Sequence, residues 1–487
     1  MILLVLGCTL ARYEQVDCVD HGECRETFGL LWVCGEEGLC AESEPHPRCL
    51  STWPDDLFIR PENYGDHILI GSMFDHSSDA AEVQASRLPV MQVSDEGGVE
   101  DTEYAMVECS YETDSSLDEL DYPSSARETS QWMVDVLGIQ GIVGPATSSQ
   151  TQEAYNATAD RGVLIMSPSA TSPTLINIDG LEKTDEDPGM LWRTAPPDSL
   201  QGVAVAEDMK SRGLRDVAFM YQTGPYGEGL AEVFLESFQD DSHDAVALEF
   251  ETTTEITEGT SDLFVDEPGL EEVFFISSEL TDITAFINAA GELSAFTSDG
   301  AGIFLADGAA DDQLFEQTDS DLYDSIRGTR PSVPSGLVYE TFASAYAAAY
   351  PGDKADDSVY TAYAFDATWL VIYGTAWSYY RDGEAGVIDG RGIGQGLRRI
   401  SNGTEILIRP TYWNDVKARF SLSQGIDVQG ASGVLDYDPD TEETTAPIEV
   451  WQINSWGDGF EHCKTFCWED GAPVECTLGT EVDCGDD

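Results

Sequence analysis

Two hydroxyl-rich segments hold the residue types best suited to chemistry in this chain. Pro145-Ala-Thr-Ser-Ser-Gln150 follows the apolar run Gly141-Ile-Val-Gly144, and Ser167-Pro-Ser-Ala-Thr-Ser172 follows Val163-Leu-Ile-Met166. Ser148 and Ser149 fall where a helix should begin. Their hydroxyls and the first free backbone N–H groups there form an anion site for a carboxylate or a phosphate. An ordinary helix cap explains a Ser–Ser pair as well, but two such loops ending neighbouring strands weigh more than either alone. Enzyme patterns are absent: there are six histidines and no H-E-x-x-H, G-x-S-x-G or G-x-x-x-x-G-K-[ST] run. Asp436-Tyr-Asp-Pro-Asp-Thr-Glu442 imitates a calcium loop, yet Thr441 stands where Gly is needed and Pro447 where Glu is needed. No enzyme, metal or cofactor is expected.

The elements that must position these loops alternate between short β-rich runs and amphipathic stretches. Residues 67–74, 104–109, 141–144 and 163–166 read as strands, separated by helices over 78–94, 126–137 and 149–161. This is the order of a parallel sheet flanked by helices. A second series follows Pro196-Pro197, with helices over 199–212, 227–238 and 281–290 and strands over 216–221, 245–250, 272–276 and 302–305. The fold class expected is α/β, with two doubly wound lobes. Residues 338–420 read as mainly helical, and 359–377 is apolar on most faces, which marks a buried helix. Residues 433–437 and 448–453 read as closing strands. In open parallel sheets ligands sit outside the carboxyl ends of the strands, where both hydroxyl loops fall.

The 487 residues contain 23 Lys+Arg against 92 Asp+Glu, a formal charge of −69. A chain so acidic cannot assemble the basic face that nucleic acid requires, and an anionic membrane surface repels it. At this composition, clusters of carboxylates do not by themselves indicate a paired-acid hydrolase. Eleven cysteines point to an oxidising compartment. Cys18, Cys24, Cys34, Cys40 and Cys49 crowd one end, Cys463, Cys467, Cys476 and Cys484 the other, and Cys109 stands alone. Zinc competes for the first cluster because His21 lies between Cys18 and Cys24, but paired C-x2-C spacing is missing and disulfides are favoured. Spacing does not determine connectivity; Cys49–Cys109 is the pairing left over.

Two resemblances sharpen the reading. Apolar residues ending in Leu6-Gly7-Cys8 resemble the lipobox of bacterial lipoproteins, which implies lipid on Cys8, although no Lys or Arg precedes it and the apolar run is short. The hydroxyl loops, then Trp192-Arg-Thr-Ala-Pro-Pro-Asp-Ser-Leu-Gln-Gly202, Tyr226-Gly-Glu-Gly-Leu230, Tyr363-Ala-Phe-Asp-Ala367 and Gly433-Val-Leu-Asp-Tyr-Asp-Pro-Asp440 resemble type I periplasmic solute-binding proteins, the branched-chain amino-acid group above all. The matches keep the family's order over residues 65–460. The resemblance implies lobe one over 65–195 and 335–433, lobe two over 196–330 and 434–460, and crossovers near 194–197, 327–335 and 433–440. A signal segment (1–8), a cysteine-rich module (9–50) and a cysteine-rich tail (461–487) flank them.

By position in that family, Ser148 or Ser149, Ser169 and Thr171 hold a ligand's α-carboxylate and ammonium. Tyr226 covers its side chain, and Asp307 helps to hold the ammonium. Two loops depart from the family pattern: Ser277-Ser-Glu-Leu280 replaces an aromatic, and Ser72-Met-Phe-Asp-His-Ser-Ser78 lacks the usual small turn. A branched-chain amino acid is therefore not implied. The expected function is a lipid-anchored solute-binding protein of the periplasm or cell surface, passing a small polar, amino-acid-like ligand to the permease of an ABC importer. A ligand-sensing receptor and a non-binding structural lipoprotein are the alternatives.

Overall fold

The computed structural model describes residues 16–477 apart from 114–116, 268, 299, 319–320, 382–385 and 470. Cys8 and Cys484 lie outside the described residues.

Strand runs that read as continuously apolar are those buried on both faces, as parallel sheets require. All of Tyr104–Ser110 and all of Glu272–Ile276 are buried. The first lobe is a six-stranded sheet in the order Ser51–Trp53, Tyr104–Ser110, Ile68–Phe74, Gly141–Val143, Leu164–Ser167, Leu191–Arg193. Only its first strand runs antiparallel. The second lobe has eight strands. Asp244–Phe250, Asp216–Gln222, Glu272–Ile276, Gly302–Leu305 and Ile326–Pro331 are parallel, and Ile448–Ile453, Phe460–Glu469 and Ala472–Cys476 continue antiparallel. The α/β class with two mostly parallel, doubly wound sheets is therefore observed. Part of the segment expected as a separate tail belongs to the second sheet.

The helix Thr361–Tyr380 is buried from Thr361 to Ser378. It packs between Ala80–Asp95 and Gly390–Leu397. Its close approach to the second of these depends on missing side chains: a Cβ on Gly396 would stand 2.8 Å from the Cα of Gly374. No helix among the described residues is long and apolar enough to cross a membrane.

The chain passes between the sheets three times, after Arg193, after Pro331 and between Tyr437 and Ile448. Residues 433–437 do not form the expected strand. They make only isolated pairings, Gln429 with Val434 and Tyr437 with Thr444. Gly433 has φ +134°, and the carboxylate of Asp366 accepts the N–H groups of Ala431 and Ser432 at 2.9 and 2.7 Å. Those amides are committed to a side chain, so no ladder can use them.

Disulfides join Cys18 to Cys34, Cys24 to Cys40, Cys49 to Cys109 and Cys467 to Cys476. Cys463 is disulfide-bonded too. Zinc therefore loses its thiolates, and His21 Nδ1 is occupied by the N–H of Cys34 at 2.8 Å.

Candidate functional site

A cavity of about 390 Å³ lies between the two sheets, within the usual range of about 300–1,000 Å³ for small-molecule sites. Its walls are the segments that leave the carboxyl ends of the strands. Asp75 follows Ile68–Phe74, Tyr111 follows Tyr104–Ser110, and Ser148 and Ser169 lie beyond the next two strands of lobe one. Tyr226, Glu279 and Asp307 occupy the matching positions of lobe two, and Tyr360 stands just before the buried helix. A larger cavity of about 710 Å³ opens at the opposite end of lobe one, beside Ile68, Glu103 and Gly141. That is the amino end of the strands, so the smaller, inter-lobe cavity is the better candidate.

Four of the six residues expected at a site line this cavity: Ser148, Ser169, Tyr226 and Asp307. Ser148 opens the helix Ser148–Thr158, and no side chain caps that helix. Ser148 Oγ accepts the N–H of Ser172 at 3.2 Å, which ties the two hydroxyl loops together. Ser169 Oγ donates to the carbonyl of Ala146 at 2.9 Å. Ser149 and Thr171 are not among the lining residues. Ser149 turns toward Gly224, and Thr171 Oγ1 donates to Asp198 Oδ2 at 2.9 Å. Burial, followed by the charge of Asp307, holds the Asp198 carboxyl well above the usual carboxylate range.

Asp307 is 4% exposed. Its Oδ1 accepts from Gln201 Nε2 at 3.0 Å and from the Tyr226 hydroxyl at 2.5 Å, and its Oδ2 accepts from the Tyr360 hydroxyl. Burial and then the charge of Asp307 push both tyrosines well above their ordinary range, so they remain donors.

Lobe one contributes a second acidic wall. Asp75 Oδ2 accepts from Tyr122 at 3.2 Å, and Asp79 Oδ2 accepts from Tyr111 at 3.0 Å. Glu82 Oε1 accepts from Ser358. Burial and then the charge of Asp79 raise the Glu82 carboxyl to about 8. Sequence reading missed these acids and tyrosines. Asp75 and Tyr111 carried a usable signal, since each is the first residue after a strand; Asp79 and Glu82 carried none. Both loops that depart from the family pattern reach this cavity, through Asp75, Ser77 and Ser78 and through Ser278, Glu279 and Leu280.

Beneath the cavity a buried arginine joins two of the chain passages. Arg193 meets Glu443 in two parallel bonds of 3.0 and 2.6 Å, and donates to the carbonyls of Ala170 and Ser172 at 3.1 and 2.8 Å. The hydroxyl of Tyr437 donates to the Arg193 carbonyl at 2.8 Å. Across the cleft, Ser172 Oγ donates to the carbonyl of Pro225 at 2.6 Å.

Comparison with known proteins agrees with this architecture. The model of the receptor family ligand binding region matches residues 102–455. The leucine-, isoleucine-, valine-, threonine- and alanine-binding protein of Pseudomonas aeruginosa is 31% identical over 104 residues, 21% of this chain and 26% of that protein. The chain spans about a quarter of the length of the curated relatives it matches. A branched-chain amino acid transporter substrate-binding protein from Streptococcus pneumoniae, solved with isoleucine, superposes with a TM-score of 0.60 at 19% identity, covering 84% of this chain and 100% of that one. A solute-binding protein from R. palustris, solved with 4-hydroxybenzoate, gives 0.61 at 14% identity, covering 86% and 98%. At such identities the likeness is one of fold. The chain thus belongs to the receptor family ligand binding region, on the fold of type I periplasmic binding proteins, and its cleft is built for binding rather than catalysis.

Proposed function

We propose that this chain is an extracytoplasmic solute-binding protein that captures a small polar, amino-acid-like ligand between its lobes and presents it to an ABC importer. The observation that carries this reading is the inter-lobe cavity, which gathers Ser148, Ser169, Tyr226 and Asp307 at the carboxyl ends of strands from both sheets. Lipid on Cys8 would hold the protein at the membrane, on the periplasmic or outer face.

A thermal-shift screen of amino acids, amines and aromatic acids tests the reading, because a ligand bound only by the folded state raises its melting temperature. At least one compound should stabilise the protein. Ser148→Ala should weaken its affinity about tenfold, the loss of roughly 1.4 kcal/mol of hydrogen bonding. Ser149→Ala should leave it unchanged. Silence across the screen would favour a structural surface protein. A sensing role draws support from the family itself, described as a receptor's ligand-binding region. A permease and an ATPase encoded beside this chain would support import, and a kinase there would support sensing.

A further inference from the structure

Two sets of buried acids contrast in this protein. Away from the cleft, Glu108, Asp208, Glu272, Glu442, Glu443 and Glu449 each pair with an arginine. Two more have neutral donors instead: Asp366 is held by backbone N–H groups, and Asp198 by the hydroxyl of Thr171. In the cleft, Asp75 (4% exposed), Glu82 (6%) and Asp307 (4%) have no lysine or arginine partner among the described residues. The same holds for Asp79, Glu279 and Asp311, which line the same cavity only partly exposed. Among the described residues, no Lys, Arg or His lines the cavity.

A buried carboxylate is costly unless a partner compensates it. Elsewhere six buried acids draw that partner from the scarce cations, of which there are 23 against 92 acids. In the cleft only neutral donors meet these carboxyls, from Gln201, Tyr226, Tyr360, Tyr122, Tyr111 and Ser358, and a cationic partner is left to come from outside.

The acids also face one another in a defined way. Asp75, Asp79 and Glu82 stand on lobe one, and Glu279, Asp307 and Asp311 on lobe two. Among the described residues, no three of these carboxylates bring oxygens within 4.8 Å of one another, as a single metal ion would need. Four tyrosines, Tyr111, Tyr122, Tyr226 and Tyr360, add aromatic rings to the same walls, and a cation is attracted to such rings. Acidic walls on both lobes suit a molecule that presents a positive group to each.

We propose that the solute is a small organic cation with two separated positive groups, an amine at each end or an amine and a guanidinium, and not a neutral or anionic solute. The proposal rests on the cleft being the solute site. It disfavours free benzoates here: Ser148, Ser169 and the start of the helix Ser148–Thr158 offer a carboxylate neutral donors, but the six acids of the wall repel it.

Isothermal titration of the full chain with lysine, arginine, 1,4-diaminobutane, leucine, benzoate and calcium chloride tests it. At least one of the first three should bind ten or more times tighter than leucine. The Asp79→Asn/Glu82→Gln double variant should weaken that binding at least tenfold, whereas Ser149→Ala should not. Leucine or benzoate binding while the three cations stay silent would overturn the proposal and leave the solute-binding function standing. Calcium binding reversed by chelator, with the organic cations silent, would overturn it in favour of a metal. Cation binding indifferent to the double variant would overturn the assignment of these acids. Silence to the whole panel would overturn both the proposal and the function on which it rests.

Discussion

Tyr360, at the threshold of the buried helix of lobe one, donates its hydroxyl to Oδ2 of Asp307 on lobe two. Tyr226 serves the other oxygen of the same carboxylate from within lobe two. One bond therefore spans the cleft and the other does not, although the two are chemically alike.

That difference yields a paired prediction. A hydrogen bond to a charged group contributes about 1.5–3 kcal/mol. Tyr360→Phe should shift the ligand-free protein toward an open cleft, raising the radius of gyration in solution scattering, and should weaken ligand binding at least tenfold. Tyr226→Phe removes a bond inside one lobe and should leave the radius unchanged. Equal radii for the two variants would remove Tyr360 from any role in closure.

Arg193 is buried, with Glu443 as its bidentate partner and two loop carbonyls as its other acceptors. Truncating one member of such a pair leaves an uncompensated charge, at a cost of about 3–5 kcal/mol. Arg193→Ala should lose that much in urea denaturation. Arg193→Lys should recover only part of it, since an ammonium cannot reproduce the fork. It should also loosen the 169–172 loop, seen as faster amide exchange at Ala170–Ser172.

Glu82 predicts the pH dependence of the empty protein. Its carboxyl rises from 4.5 to about 8 on folding, through burial and the charge of Asp79, partly offset by the hydroxyl of Ser358. Between those values the folded state binds more protons than the unfolded one, so stability falls as pH rises through the window. The slope for one proton is at most about 1.4 kcal/mol per pH unit. Wild-type melting temperature should drop from pH 5 to pH 8, and Glu82→Gln should flatten the drop. Parallel curves for the two proteins would show that the net charge, not Glu82, sets the slope.

Much of the fold was legible because burial on both faces leaves continuous apolar runs. The runs at 272–276 and 302–305 became strands with the same bounds. The helix Thr253–Asp266 was overlooked, although Thr252 and Glu255 form a reciprocal capping box that is visible as a Thr-x-x-Glu spacing. Residues 433–437 misled through their β-rich composition, since Asp366 captures the amides just before them from 65 residues earlier in the chain. The hydroxyl part of the cavity wall was readable, because two Ser-rich segments each follow an apolar run in the sequence. The acidic half was not. Among 92 acids, Glu82 looks like any solvated surface residue; only its burial and its missing arginine set it apart. Thr171 was misplaced for a related reason, as spacing cannot foresee that Asp198 would claim its hydroxyl.

The two cysteine modules ride on different lobes. Cys49–Cys109 fastens the leading one to the strand Tyr104–Ser110, and Cys467–Cys476 closes a hairpin that extends the sheet of lobe two. Tension applied between these modules must pass through the chain passages and the bonds that cross the cleft. The two modules are in that sense handles on opposite arms, and any change in the angle between the lobes would change the distance between them.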